Sequence, residues 1–322
     1  MSMRLDCFIT QKYTHITRQK ALELIKQAQV SVNGKIILKP AFNISDTDSI
    51  SIKQDFFIES EIFCSRAALK LQRFLHNTES SAYYSAFYNP LLLTKENSFL
   101  SHFTKDLVIW QKAHDSIKHN MESSLQTYIT TSLKEILPLL IKDSIILDVG
   151  ASAGGFSQVL LTYKPKLIIA QDIGSLQLDS NLSKRDEIVS IENVDIRIFS
   201  QDFHIYKEKI IERIKDSKHR VLKENLFDFL VCDVSFISLE NILESLLNLS
   251  KTMLLLYKPQ YEVGIQAKRN KKGVIKDTKI ILACLESFLA LLKAKNALYI
   301  FVEKSLLAGK EGNEEFFIFC QF

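Results

Sequence analysis

Several charged side chains stand in this chain at the ends of apolar runs, where a charge must be paired or open to solvent. Lys258 directly follows Leu254-Leu-Leu-Tyr, and Asp233 follows Phe229-Leu-Val-Cys. Burying either group alone would be unfavourable, so both belong at a cleft or in a pair. Asp172 ends Leu167-Ile-Ile-Ala-Gln, where a carboxylate can accept hydrogen bonds from both hydroxyls of a ribose. Asp195 follows the run 188–192 and could face an adenine, with a purely structural aspartate as an equal alternative. Ahead of these lies Ile145-Ile-Leu-Asp-Val, with Asp148 among apolar residues, and then Gly150-Ala-Ser-Ala-Gly-Gly-Phe156. This reads as strand, tight turn and helix start. Gly150, Gly154 and Gly155 remove side chains where backbone must come close to a ligand. The spacing is not G-x-G-x-x-G, so the dinucleotide fingerprint is not met. Asp233 and Lys258 end neighbouring elements and should meet across one site, the plain alternative being a structural ion pair.

The hydrophobic pattern shows what must position these groups. From about residue 126, apolar runs of strand length alternate with amphipathic stretches. Strands are expected at 145–149, 167–172, 188–192, 227–232, 253–257, 299–302 and 316–319, and helices at 126–141, 239–249 and 279–293. The alternation predicts an α/β fold, a doubly wound Rossmann-like parallel sheet that binds ligands beyond the carboxyl ends of its strands. Residues 3 to 58 read as a separate small α+β unit. A helix carries Ala21, Leu22, Leu24 and Ile25 on its apolar side, with Thr17 as N-cap. The run 30–40 is strand, Asn33-Gly34 turn, strand, a strong hairpin signal, and 49–52 closes it. Residues 62–75 form a helix with Ala68, Leu71 and Leu75 on one side. Periodicity is then lost from 77 to about 124, which reads as an insertion with a helix or two, packed by the Trp110 region.

The 322 residues predict two or three units, and an apolar fraction of 47% suffices for a core. Net charge is +4, but residues 1–45 concentrate it: Arg4, Lys12, Arg18, Lys20, Lys26, Lys35 and Lys39 face only Asp6 and Glu23. A basic module on a near-neutral body points to a polyanion partner. Five scattered cysteines, without C-x-x-C or histidine at ligand spacing, fit a reducing cytoplasm and give no metal site. No apolar leader or uncharged membrane-length run is present, so a cytoplasmic location without stable membrane insertion is expected.

Resemblances sharpen this. Arg4-Leu5-Asp6, Thr17-Arg18, Ala21, Leu24-Ile25, Val32-Asn33-Gly34-Lys35 and Lys39-Pro40 resemble the S4 RNA-binding domain. That implies RNA contacts from Arg4, Arg18, Lys20, Asn33, Lys35 and Lys39, mostly to phosphate and sugar. Asp148-x-Gly150-x-x-x-Gly154-Gly155 resembles the first motif of methyltransferases that use S-adenosylmethionine (SAM). The chain as a whole is similar to the TlyA family of ribosomal-RNA 2′-O-methyltransferases, some historically labelled haemolysins. The match lies in Ser65-Arg-x-x-Leu-Lys70, the glycine loop, Asp233-Val-Ser-Phe-Ile-Ser238, Lys258-Pro-Gln260, Gly273-Val-x-Lys-Asp277 and Gly312-Asn-x-Glu-Phe316.

The resemblance implies a catalytic tetrad of Lys70, Asp233, Lys258 and Glu315, with Glu314 as an adjacent rival. It also implies SAM as cofactor, held by Asp148, Gly150, Ala151, Ser152, Gly154, Gly155, Phe156, Asp172 and Asp195. A ribose hydroxyl is a poor nucleophile at neutral pH, so Lys258 is expected to serve as base, its pKa lowered by Lys70 nearby, while Asp233 and Glu315 orient the amines. Arg66 and a mobile basic loop with Lys268, Arg269, Lys271 and Lys272 are expected to grip RNA. The implied partner is ribosomal RNA in ribosomal subunits, with cytidine as the nucleoside. The expected division is an S4-like unit at 1–60, a helix with the first lysine at 61–76, an insertion at 77–135 and the methyltransferase unit at 136–322. Against the family pattern, Ala153 replaces threonine, Asp195 stands where asparagine is common, and the segment after Lys70 is several times longer. A non-catalytic RNA-binding assembly factor, a membrane-active haemolysin and a small-molecule methyltransferase are the rival functions.

Overall fold

The computed structural model describes residues 3–13, 16, 18–26, 28–45, 47–52, 57–58, 61–76, 84–88, 133–212, 224, 226–264 and 267–322. In the N-terminal unit, β1 (Met3–Arg4) leads into α1 (Leu5–Lys12) and α2 (Arg18–Lys26). The strands β2 (Val30–Val32), β3 (Lys35–Ile36), β4 (Asn43–Ile44) and β5 (Ile50–Ile52) follow. β2 pairs antiparallel with both β3 and β5, and β1 pairs with β4. Asn33 and Gly34 both have positive φ (51° and 79°), as a two-residue hairpin turn requires. Leu5, Ile9, Ala21, Leu24, Ile25, Val30 and Val32 close its core.

A short pair, β6 (Phe57–Ile58) and β7 (Glu61–Ile62), precedes α3 (Arg66–His76). Of the insertion, expected to hold a helix or two, the described segment 84–88 is a strand, β8 (Tyr84–Tyr88). Trp110 and the rest of 89–132 lie outside the described residues.

The main body is a sheet sandwiched between helices. Its strands are β9 (Ile145–Val149), β10 (Leu167–Gln171), β11 (Ile188–Ile191), β12 (Phe229–Cys232), β13 (Thr252–Tyr257), β14 (Tyr299–Lys304) and β15 (Phe316–Gln321). With β8 at the edge, the order is β11-β10-β9-β12-β13-β15-β14-β8. β9 to β13 run parallel, but β15 enters antiparallel between β13 and β14, and β8 is antiparallel to β14. The expected doubly wound sheet is present and mainly parallel, with β15 and β8 as its antiparallel members. β14 and β15 are joined by a turn rather than a helical crossover, and directly joined neighbours pair antiparallel.

The helices are α4 (Gly155–Leu161), α5 (Ile196–Gln201), α6 (Phe203–Ile211), α7 (Leu243–Leu249), α8 (Pro259–Glu262) and α9 (Thr278–Ala294), together with residues 133–141. Strand alternation divides the core between two faces. Ile145, Leu147 and Val149 meet α5, α6, α7 and α9. Ile146 meets α3, α4 and the helix at 133–141. Asp148 shares the face of Ile146, which sets its side chain against α4. No described helix is long and apolar enough to cross a membrane.

Candidate active site

Two buried ion pairs face one cavity of about 760 Å³ beyond the carboxyl ends of β9, β12 and β13. Lys258, the residue after β13, places Nζ 2.6 Å from Asp233 Oδ1 and donates to Ser235 Oγ at 2.9 Å. Lys70, in the middle of α3, places Nζ 2.5 Å from Glu315 Oε2. The lysines are only 8% (Lys70) and 7% (Lys258) exposed, so each charge depends on its carboxylate. Glu314 points the other way, to Lys304 at 2.5 Å. Gly309 makes room for Glu315: a Cβ there would lie 2.6 Å from Glu315 Oε1.

This arrangement corrects the expected electrostatics. Burial alone would lower the Lys258 pKa, but the charge and hydrogen bond of Asp233 and the charge of Glu315 outweigh it, and the net shift is upward. The Lys70 charge is itself matched by Glu315 at 2.5 Å. Lys258 therefore stands as an ammonium. Cys232, next to Asp233, is no nucleophile, since burial pushes its thiol up to about 12.

The glycine loop forms the cavity floor at Gly150, Ala151 and Ser152. Gly150 has φ +77°, and a Cβ on it would sit 2.9 Å from the Asp233 carbonyl oxygen. Its freedom lets β9 and β12 end side by side. Gly154 (φ +88°) faces Leu178 and Leu182, while Gly155 faces Ser65 and the backbone of Ala68 in α3. All three close approaches are thus made to the protein's own chain, where approach to a ligand was expected. Phe156 is buried and stacks on Phe317 at 6.3 Å, so its ring belongs to the core.

Asp148 accepts from Ser157 Oγ at 2.6 Å, and its Oδ1 is buried without a hydrogen-bond partner. Burial, then the charges of Asp233 and Asp172, push it up to about 7 against the Ser157 bond. Asp172 accepts from the N–H groups of Ser152 and Gly174 and so moulds the loop. Asp195 caps α5, accepting from Arg197 N, and pairs with the Arg197 guanidinium at 2.7 Å, a placement that matches the structural alternative. Neither Asp172 nor Asp195 lines the cavity.

These residues pass a test of fit for SAM. The floor has no side chain larger than serine, the walls offer the carboxylates of Asp233 and Glu315, and Gln260 Oε1 is left without a hydrogen-bond partner. Such acceptors suit a ligand bearing ammonium, sulfonium and ribose hydroxyls. Among the described residues no cluster could hold a metal ion.

The basic residues divide. In the N-terminal unit, Arg4 and Arg18 converge on the buried Asp6 at 2.9 and 3.3 Å, yet stay 45% and 62% exposed. Lys35 and Lys39 are exposed; Asn33 is tied to Asp48 and Ser49; the Lys20 side chain lies outside the described residues. Arg66 lines the cavity and donates to the Ala308 carbonyl. In and beyond the loop expected to be mobile, residues 269–275 form a hairpin, with Arg269 bridged to Ile275. Arg269 donates to the carbonyls of Gln260, Val263, Gly264 and Ala267, which corrects its expected role as a free phosphate grip. Lys268, Lys271 and Lys272 are exposed, and Lys272 lines the cavity.

Sequence reasoning missed Ser235, Gly309 and Phe236. Phe236 is 89% exposed at the cavity mouth, has φ +66° and leans on Tyr261 with ring centroids 5.3 Å apart. A bulky residue held at positive φ is a strained exception that clusters at functional sites. Its place directly after Asp233-Val-Ser was the available signal.

Residues 131–322 match the FtsJ-like methyltransferase family and residues 3–50 the S4 domain. The chain is 32% identical over 332 residues to the 23S rRNA (cytidine-2′-O)-methyltransferase TlyA of Campylobacter jejuni, covering 98% of each. It is 24% identical to the 16S/23S rRNA (cytidine-2′-O)-methyltransferase TlyA of Mycobacterium tuberculosis, covering 99% of this chain and 89% of that one. Hemolysin A of Brachyspira hyodysenteriae is 26% identical over 279 residues, 85% of this chain and 81% of the relative. A solved candidate hemolysin from Streptococcus thermophilus shares the fold, with TM-score 0.52 and 22% identity over 99% of this chain and 88% of that one. Joined to the S4 unit and the FtsJ-like sheet, similarity along nearly the whole chain settles its kinship: it belongs to the TlyA family of methyltransferases.

Proposed function

We propose that this methyltransferase uses SAM to methylate a ribose 2′-hydroxyl of ribosomal RNA, on cytidine, within ribosomal subunits. The observation that carries the reading is the pair of buried lysine–carboxylate contacts, Lys258–Asp233 and Lys70–Glu315, facing one cavity floored by the glycine loop. Gly150, Ala151 and Ser152 would hold SAM, with Asp148 and Asp172 shaping the loop from behind. When bound, SAM supplies a methyl group already activated by its sulfonium.

The protein's task is then to aim an oxygen and receive a proton. Lys258 donates a hydrogen bond to the entering hydroxyl and fixes its direction. The 2.6 Å contact with Asp233 opens a route for the proton: Lys258 passes one of its own protons to Asp233, and the amine so formed takes the hydroxyl proton as the methyl group transfers. Lys70 and Glu315 keep the opposite wall charged and ordered. Phe236 offers an exposed ring on which the target base can stack, a contact typically worth about 1–3 kcal/mol. The S4 unit, with Arg4, Arg18, Lys35 and Lys39, and the hairpin lysines bind RNA phosphate.

The test is tritiated methyl transfer from SAM to purified ribosomal subunits lacking the modification, with wild type and Lys258→Ala side by side. Label in rRNA that vanishes with Lys258→Ala is the expected result. SAM binding without labelling of any subunit, 70S particle or naked rRNA would overturn the reading in favour of a non-catalytic assembly factor.

A further inference from the structure

Asn313 lies two residues before Glu315 and is only 7% exposed. Both ends of its amide reach across to another loop. Its Oδ1 accepts from Ile275 N at 3.0 Å, and its Nδ2 donates to the Gly273 carbonyl at 3.4 Å. Gly273 and Ile275 belong to the basic hairpin 269–275, which carries Lys271 and Lys272. The hairpin is stiff in itself, since Asn270 Oδ1 accepts from the N–H groups of both Lys272 and Val274. Arg269 fastens its base to the carbonyl end of α8 through Gln260 and Val263. Asn313 fastens the far side to the turn between β14 and β15. Together these contacts set the height of Lys272 at the rim of the cavity.

We infer that Asn313 is a positioning residue for substrate RNA: its side-chain amide holds the hairpin 269–275 so that Lys272 meets the RNA backbone at the cavity mouth. The turn that carries Glu315 does not depend on that amide. It is held by backbone bonds, Gly309 N to the Asn313 carbonyl at 2.8 Å and Ser305 N to the Glu315 carbonyl at 2.8 Å. An alanine at 313 keeps both. Removal of the side chain should therefore separate RNA binding from chemistry, because one set of bonds belongs to the hairpin and the other to Glu315.

The inference rests on the proposed rRNA substrate, and the experiment keeps the two apart. Wild type, Asn313→Ala, Lys272→Gln and the double variant are compared in steady-state methylation of undermodified ribosomal subunits, with SAM affinity measured by calorimetry. If wild type labels no RNA, the substrate reading fails and the variants are not needed to show it. If wild type is active, Asn313→Ala is expected to raise KM for subunits about tenfold while kcat and SAM affinity stay within about twofold. The double variant should be no worse than Asn313→Ala, since Lys272 is then already out of place. A fall in kcat at unchanged KM, or fully additive effects of the two substitutions, would overturn the inference. Should Asn313→Ala fail to fold, Asn313→Asp keeps the acceptor for Ile275 but sets a carboxylate oxygen against the Gly273 carbonyl in place of the donor. It is expected to raise KM about threefold, and a wild-type KM in it refutes the role of the amide.

Discussion

Gly155→Ala separates two explanations of a glycine in the loop after β9. If Gly155 is glycine so that SAM can approach, an added methyl group should weaken cofactor binding. The structure gives the methyl group a different neighbour. A Cβ at 155 would lie 2.1 Å from Ser65 Oγ and 2.8 Å from Ala68 N, both at the start of α3. The Ser65 hydroxyl can rotate away, but the Ala68 backbone cannot. Restoring an ordinary contact requires α3 to retreat by roughly 0.6 Å, in a core too dense to absorb the shift elsewhere. Such overpacking typically destabilises by about 1–3 kcal/mol. The retreating helix carries Lys70 one turn beyond Ala67, so the pair with Glu315, 2.5 Å apart in the native arrangement, lengthens. Misplacement by 1 Å costs on the order of a hundredfold in rate, so a shift of about half that predicts a fall in kcat near tenfold. The assay is methyl transfer at saturating SAM and subunits, with SAM affinity by calorimetry and thermal unfolding alongside. SAM affinity within about twofold of wild type is expected, because Gly155 points away from the cavity. Replacing Ser65 by alanine in the same variant should not restore the rate, since Ala68 N remains. Tenfold weaker SAM binding with an unchanged kcat would refute the reasoning.

Two further predictions concern buried charge. Asp148 titrates near pH 7 in the folded protein against 3.8 unfolded, so its protonated form contributes stability that is complete below about pH 4 and is lost as pH rises through 7. The loss integrates to about 4 kcal/mol, an upper figure for a fully buried group. Asp148→Asn removes it, so the gap in urea stability between variant and wild type should widen from pH 5 to pH 8; a constant gap would count against the assignment. Lys134 is buried over the Phe74 ring, donates to the Phe74 carbonyl and pairs with Glu303 at 2.9 Å. Lys134→Met should cost about 3–5 kcal/mol by removing this cation from a buried carboxylate, and the added change Glu303→Leu should recover most of it. A single variant that melts with wild type would contradict the pairing.

Much of the site was legible because charge at a strand end has few innocent places to be. Asp233 and Lys258 could be read as partners from the apolar runs that precede them, and the Asn33-Gly34 hairpin from turn chemistry alone. Other features depend on neighbours distant in sequence. The reason for Gly155 lies in α3, beyond the long insertion, so local reading assigned the close approach to a ligand. Whether Lys258 is ammonium or amine depends on angstrom-scale distances to Asp233 and Glu315, which spacing does not encode. Arg269 looked like a free phosphate grip because the carbonyls at the end of α8 that it satisfies carry no sequence signature. The reversal of β15 escaped notice because a buried strand has the same apolar pattern in either direction.

That reversed strand also governs how the enzyme can be made. β15 is synthesised after β14 but lies between β14 and β13. A nascent chain that has already produced β13 and β14 therefore holds an open slot, with two unpaired apolar edges awaiting the same insert. Glu315 immediately precedes the strand that fills it. The sheet and the Lys70–Glu315 pair are completed by one event, so no partly built chain combines a closed fold with a missing pair, or a formed pair with an unfinished fold. The interval before β15 emerges is the period of greatest hazard for edge-to-edge aggregation.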